Sequence, residues 1–261
     1  MSYNYLRSAR KVICIGRNFA AHIKELENPT PKQPFFFLKP TSAIITPIDA
    51  NNERKVLPKD SSYHGLNDDG TNPSPIYIPK GVIVHHEVEL GLVIDKYISN
   101  AEASKFKAED VYDSISGVFL ALDLTARNVQ DEAKKKGLPW SIGKGFDSFL
   151  PVSHFISKDQ FINEKKNIQN AFRLKCSVNG TLRQDGTTDL MLNHLNKIIQ
   201  HISTTMSLEP GDLVLTGTPA GVGELHPGDA IRSELYYHDT KLVDMEFNCE
   251  ERPGPYVYRE T

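Results

Sequence analysis

The sequence predicts a mainly β protein with a few helices, of the α+β class, in one domain spanning residues 1–261. Three observations predict it. Sixteen prolines and seventeen glycines give the turn density of a strand-rich chain. Short runs of branched and aromatic residues, such as "KVICIG", "PFFFLKP", "GVFLALDLT" and "RLKCSV", read as strands between those turns. Few segments carry helical period, and no composition shift, low-complexity tract or long repeat marks a second domain.

Lys11 to Ile15 reads as a strand that stops at Gly16. Asn18 then caps a short helix near 18–27, running to about Leu26, before Asn28-Pro29. "PFFFLKP" is a further strand, and residues 50–80 read as a long polar loop or insertion. After a strand over 82–94, "KAEDVYDSIS" reads as a short helix and "GVFLALDLT" as a buried strand. "ARNVQDEAKKKG" is the clearest helix, closed by Gly137 with Pro139 beyond. Arg173 to Gln184 is a hairpin turning at Asn179-Gly180, a reading preferred to a glycosylation site for "NGT". Leu190 to Ser203 has apolar residues at helical spacing. Two Pro-Gly-Asp turns launch strands on either side of "TGTPAGVG".

A net charge of −3 and a pI near 6.3 argue against nucleic-acid or anionic-membrane partners. No apolar run approaches the roughly 18 residues that a membrane span needs. Cys14, Cys176 and Cys249 are odd in number and widely spaced, which suits reduced thiols in an intracellular protein. The N-terminus is basic, with no acid before Glu25, and mildly resembles a mitochondrial address, the alternative being the cytoplasm. Strand signals by Val12 imply that any such address stays uncleaved.

The stretch "VIVHHEVELGLVI" carries the first chemical signal. With period 2, Val88, Leu90, Leu92 and Ile94 face a core, while His85, Glu87 and Glu89 face the other way. In "GVFLALDLT", Asp123 shares a face with Phe119 and Ala121. Two readings stay open: a solvated charged face, or an all-oxygen site for a hard cation. Zinc fits less well, because "HHEVEL" has Leu90 where H-E-x-x-H needs histidine, and because the period is that of a strand.

The motifs "GRNFAAHIKEL", "FFFLKP", "HHEVELG", "ALDLTARNVQDEAKKKGLPW", "GKGFD" and "GDLVLTGTPAGVG", in this order, resemble the fumarylacetoacetate hydrolase family, closest to its acylpyruvase and oxaloacetate-handling fungal mitochondrial members. The resemblance implies a mixed β-roll and β-sandwich fold, a homodimer, and Mg²⁺ or Mn²⁺ held by Glu87, Glu89 and Asp123.

The remaining candidates follow from spacing and from that resemblance. His22 and Glu25, three apart, share a helix face; they read as a surface ion pair or as a base with an orienting carboxylate. The resemblance implies the latter, a catalytic pair on a mobile lid. Arg127 and Gln130 share the first turn of the helix after Asp123. The resemblance supports Gln130 at the site, with Arg127 buttressing the carboxylates. Lys144, between two glycines, can reach an anionic substrate, and by resemblance it contacts the substrate or its enolate. "LTGTPAGVG" lacks the ending of a phosphate loop, so Thr218 and its neighbouring N–H groups are read as a carboxylate site. Arg17 and Asn18 are further substrate-binding candidates.

The expected activity is a Mg²⁺-dependent oxaloacetate keto–enol tautomerase working through a metal-stabilised enolate of a small 2-oxo acid. The alternatives are acylpyruvate hydrolysis or oxaloacetate decarboxylation at the same site, and, outside enzymes, a metal-binding scaffold.

Overall fold

The computed structural model describes residues 2–25, 29–48 and 65–260. Residues 50–64 of the polar segment expected at 50–80 lie outside these residues, and so does the end of the 18–27 helix. The part of that segment that is described departs from a loop: residues 70–79 are buried, and Ile76–Ile78 forms a strand parallel to Thr240–Glu251. Polar composition misled here, because polar groups of this segment donate to the chain rather than to water: Asn72 donates to Ile44 O at 2.6 Å and its N–H reaches Thr46 Oγ1 at 3.0 Å.

The architecture is the mainly β, α+β arrangement that the sequence predicts. One six-stranded sheet runs in the order Ile156–Ser157, Ile115–Leu122, Val88–Ile94, Leu213–Leu215, Val12–Gly16, Phe35–Lys39. A five-stranded sheet runs Thr181–Thr187, Phe172–Val178, Ala230–Tyr237, Thr240–Glu251, Ile76–Ile78. Small sheets of three and two strands join them. The hairpin turns at Asn179-Gly180, both with positive φ (51° and 76°), as an Asn-Gly turn requires.

Both faces of the six-stranded sheet are dry, which sets up the site. Val88, Leu90, Leu92 and Ile94 join Leu120, Leu122, Ile13 and Val214 in one core; Val93, Phe119, Ala121, Val12, Cys14, Leu213 and Leu215 form a second core on the other face. The period-2 reading of the faces therefore holds, but the glutamate face is not solvated. Gly91 makes this packing possible: a Cβ there would sit 2.3 Å from the Phe119 ring.

The 82–94 segment is not one strand. Val84–His86 pairs with Gly223–Leu225 and Thr125–Ala126 in the three-stranded sheet, whereas Val88–Ile94 belongs to the six-stranded sheet. The chain changes sheets at Glu87. It does so again at Asp123, between Ile115–Leu122 and Thr125–Ala126. The two corners coincide, because the Asp123 N–H donates to Glu87 O at 2.9 Å. Helix Arg127–Lys136 follows and ends at Gly137 (φ +68°), as expected. The 190–203 helix is shorter than its apolar spacing suggests, Leu195–Ser203, with a 3₁₀ turn at Thr188–Leu190. Leu190 and Leu192 are exposed, and the Asn193 N–H is taken by Asn18 rather than by a helix. The three cysteines are buried free thiols. Among the described residues, no helix is long and apolar enough to cross a membrane.

Candidate functional site

Adjacent strands with corners at the same place bring three carboxylates together. Glu87, Glu89 and Asp123 are all buried, and one ligand oxygen from each lies within 4.8 Å of the others. Among the described residues no other group of His, Cys, Asp or Glu has metal-holding spacing. Cross-strand register does the work: Glu89 lies opposite Ala121, so Asp123 falls just past the ladder beside Glu87.

Three cations answer these carboxylates, Lys39 and Lys144 buried and Arg127 half-buried. Lys144 Nζ bridges two of them, 3.0 Å from Glu87 Oε2 and 2.7 Å from Asp123 Oδ2. Arg127 Nη2 donates to the other Glu87 oxygen at 2.6 Å. Lys39 Nζ lies 2.7 Å from Asp123 Oδ1 and donates to Leu124 O at 2.9 Å. The Lys39–Asp123 contact is a buried ion pair. Burial alone would raise the Glu87 carboxyl, but Lys144 and Arg127 hold it well below the usual range. Burial opposes charge on Lys144, yet Asp123 and Glu87 raise its pKa, so it stays an ammonium. Lys39 goes the other way: burial lowers it further than Asp123 restores.

Glu89 is left over. Its Oε2 accepts the Gly217 N–H at 2.7 Å, but among the described residues no cation pairs with it. Burial, then Asp123 and Glu87, push its carboxyl well above the usual range. An uncompensated buried carboxylate within 4.8 Å of two others is what a divalent cation would relieve. The donor set is oxygen alone, which fits Mg²⁺ or Mn²⁺. His85 is no rival ligand. Its Nδ1 accepts from Arg127 Nε at 3.3 Å, and burial and Arg127 pull it down to about 4, so it braces Arg127 as a neutral ring. His86 faces the core, as its parity predicts, and bonds Gln184 at 3.0 Å.

The remaining candidates divide. Arg17, His22, Arg127, Gln130, Lys144 and Thr218 line one small cavity with the three carboxylates. Glycine lets Lys144 arrive there: a Cβ at Gly143 would stand 3.3 Å from Gln130, so the Ser141–Lys144 turn packs directly on the Gln130 helix. Gln130 Oε1 accepts from Arg127 Nη1 at 2.8 Å, which leaves its NH₂ to face a ligand. His22 Nδ1 lies 3.4 Å from Glu25 Oε2 on helix Ala20–Glu25. Glu25 does not line the cavity; its carboxylate accepts the Gly221 N–H at 3.1 and 3.2 Å.

Two expectations change. Asn18 neither caps the helix nor lines the cavity. Its amide donates to Asn193 O and Thr216 O and accepts the Asn193 N–H at 2.7 Å, tying three segments together. The N–H groups beside Thr218 serve the chain's own carboxylates, Gly217 for Glu89 and Gly221 for Glu25. The Thr218 hydroxyl donates to Val88 O and accepts from Gln184 Nε2. Both glycines stand at positive φ (101° and 96°), and a Cβ on Gly221 would meet Arg183 O at 1.9 Å.

Sequence reasoning missed Lys39, Gln184 and the aromatic wall of Phe37 and Trp140. Lys39 had one signal: Phe35, Phe37 and Lys39 alternate on one face of "PFFFLKP", and a lysine ending an apolar strand needs a partner. Gln184, on an exposed-looking hairpin, had none.

Comparison with known proteins agrees with this geometry. Residues 11–248 match the family described as fumarylacetoacetate (FAA) hydrolase C-terminal. The chain is 66% identical over 261 residues, all of both chains, to a mitochondrial oxaloacetate tautomerase of Saccharomyces cerevisiae. It is 46% identical to one of Schizosaccharomyces pombe, over 94% of this chain and 97% of that one. A mitochondrial oxaloacetate decarboxylase of Dictyostelium discoideum is 41% identical, over 94% and 95%. Among solved structures, a yeast fumarylacetoacetate hydrolase family protein superposes with a TM-score of 0.90 at 64% identity, covering 99% of this chain and 100% of that one. Fumarylpyruvate hydrolase from Pseudomonas aeruginosa, in complex with Mn²⁺ and pyruvate, does so at 0.73 and 26%, covering 93% and 90%. A match over most of the chain, and relatives aligned nearly end to end, make this chain a member of the fumarylacetoacetate hydrolase family.

Proposed function

We propose that this chain is a mitochondrial enzyme that interconverts the enol and keto forms of oxaloacetate, with Mg²⁺ or Mn²⁺ held by Glu87, Glu89 and Asp123. The observation that carries the reading is the meeting of three buried carboxylates with His22, Gln130 and Lys144 in one small cavity. The near-complete alignment with proteins named oxaloacetate tautomerase supports the substrate and the compartment. The family resemblance supports a homodimer.

A divalent ion, when bound there, withdraws electrons from a coordinated 2-oxo group. The chain's own residues supply the rest. Ketonisation removes the proton from the enol oxygen at C2 and adds one at C3. His22 carries that proton: its Nδ1 is turned to Glu25, which fixes the ring and leaves Nε2 for exchange. Lys144, kept cationic by Glu87 and Asp123, stabilises the negative charge of the enolate between the two proton transfers. Gln130 offers its NH₂ to the substrate, and the Phe37–Trp140 wall excludes water.

Loss of CO₂ from the keto form would instead leave the enolate of pyruvate, with its charge on the same oxygen and open to the same stabilisation, and the Dictyostelium relative named as a decarboxylase makes this the second reading. The test is pure protein with Mg²⁺ and freshly dissolved oxaloacetate, followed by ultraviolet absorbance of the enol and by CO₂ release, with acetylpyruvate in a parallel cuvette. Rapid enol decay without CO₂ supports tautomerisation. Turnover of acetylpyruvate alone overturns it.

A further inference from the structure

Among the described residues, Arg17 is the cation at this cavity left without an anion. Inside, three carboxylates face three cations, and each cation is committed: Lys39 and Lys144 to Asp123, Lys144 and Arg127 to Glu87. Lys134, also on the wall, pairs with Asp131 at 3.1 Å. Arg17 has no carboxylate within ion-pair distance and no hydrogen-bond acceptor among the described residues. Its guanidinium sits 6.0 Å from the Phe35 ring centroid.

We propose that Arg17 determines substrate specificity: its guanidinium pairs the carboxylate of a 2-oxo acid that lies remote from the 2-oxo group, selecting dianions such as oxaloacetate over monoanionic acylpyruvates. The inference rests on the proposed function, and it names the residue that decides between that substrate and the acylpyruvate alternative. Four further features support it. Arg17 lines both the carboxylate cavity and the adjoining apolar trough of Pro31, Phe35, Phe36, Leu138, Pro139 and Trp140, so it stands where the far end of a bound ligand emerges. It is held at φ +57°, a left-handed conformation that side chains other than glycine's rarely adopt, directly after Gly16 at the end of its strand. A cation–π contact with the Phe35 ring, 6.0 Å from its centroid, uses no N–H donor and leaves the N–H fork for a carboxylate. Half-burial beside aromatic walls lowers its pKa with no counter-charge to restore it, a cost that an arriving carboxylate removes. Arg127 cannot take this part, because its Nη2 is spent on Glu87 and its Nη1 on Gln130.

The test compares oxaloacetate with its C4 monomethyl ester, which keeps the 2-oxo acid head and removes the distal charge. The Mg²⁺-loaded full chain is assayed for enol decay with both compounds. Binding of both is read in parallel by quenching of Trp140, the single tryptophan, which lines the cavity. Loss of a charge-assisted bidentate pair predicts that R17Q lowers kcat/KM and affinity for oxaloacetate by about 10- to 100-fold, with a far smaller change for the ester. R17K keeps the charge without the fork and falls between. Equal losses on both compounds, or no loss on either, overturn the role of Arg17. Should the wild-type protein turn over neither compound, the tautomerase reading fails; the binding comparison still decides Arg17.

Discussion

The five-stranded and six-stranded sheets both carry ion pairs of about the same length, and they differ in where water is. On the five-stranded sheet, Arg173–Asp185 and Arg232–Asp244 are diagonal cross-strand pairs at 2.6 Å, with Arg173 44% and Asp185 27% exposed. In the six-stranded sheet, Lys39–Asp123 and Lys144–Asp123 lie at 2.7 Å, with Lys39 fully buried and Asp123 2% exposed. Exposed pairs exchange water for each other at little net gain, about 0–1 kcal/mol. Buried pairs are mutually dependent, because removing one partner strands the other without water, at about 3–5 kcal/mol. The site sheet therefore holds its charge by interlocking, and Glu89 is the one carboxylate that the interlock omits.

The largest test of that contrast is D123A. It removes a metal oxygen and the shared partner of two buried lysines. The expected result is a stability loss of about 3–5 kcal/mol in urea titration. Enol conversion should fall by about 10³-fold or more, as removal of a polarising group implies. Retained stability would break the contrast. E89Q is the next test and runs the other way. The amide oxygen still accepts the Gly217 N–H, and the unpaired charge is gone. Without metal, E89Q should melt higher than wild type, while calorimetry with Mn²⁺ shows affinity at least about 10-fold weaker. A site that is costly alone and relieved by its ligand is strain kept for function.

Much of this site was legible because strand parity is local. Period 2 alone put Glu87 and Glu89 on one face and Asp123 with Phe119, and helix spacing alone put Arg127 beside Gln130. What sequence could not show are facts about pairs far apart in the chain. Lys39 meets Asp123 and Leu124, whose carbonyl lies 85 residues on. Asn18 meets Asn193 175 residues on, so a residue of helix-cap type became a tie between segments. Glu25 meets Gly221 at a separation of 196. The corners at Glu87 and Asp123 were hidden for a related reason: a change of sheet depends on which partner strand is nearest, not on local period.

A third, smaller effect is read in pH. Glu89 has a folded pKa raised above its ordinary 4.5, so the metal-free folded state holds a proton that the unfolded chain releases. Its contribution to stability is present below that value and is lost as pH rises through the raised one. His85 opposes it: pulled down to about 4 from 6.5, it makes the folded state less stable as pH falls between those values. The wild-type slope mixes the two. The difference between wild type and E89Q, melted without metal across about pH 5 to 8, isolates Glu89 and should widen in favour of E89Q as pH rises. Saturating Mg²⁺ should reverse that difference, because the bound ion takes the place of the proton. A flat difference would show that Glu89 has a cation partner after all.

The smallest effect belongs to the outer sheet. R173Q and D185N, alone and together, form a double-mutant cycle on a bidentate pair in which Nε and Nη2 of Arg173 each reach an Asp185 oxygen at 2.6 Å. Geometry this good sits at the favourable end for an exposed pair, yet water still competes for both groups. The coupling energy should be about 0.5–1 kcal/mol by urea titration and should shrink on raising salt to about 1 M, where the Debye length falls to about 3 Å. The paired cycle in the site sheet, K39M with D123N, should respond to salt far less, since ions cannot enter where Lys39 and Asp123 have no exposed surface to meet them. If both cycles screened alike, burial would not be what separates the two sheets, and the interlocking of the site charges would have to be sought in hydrogen-bond geometry instead.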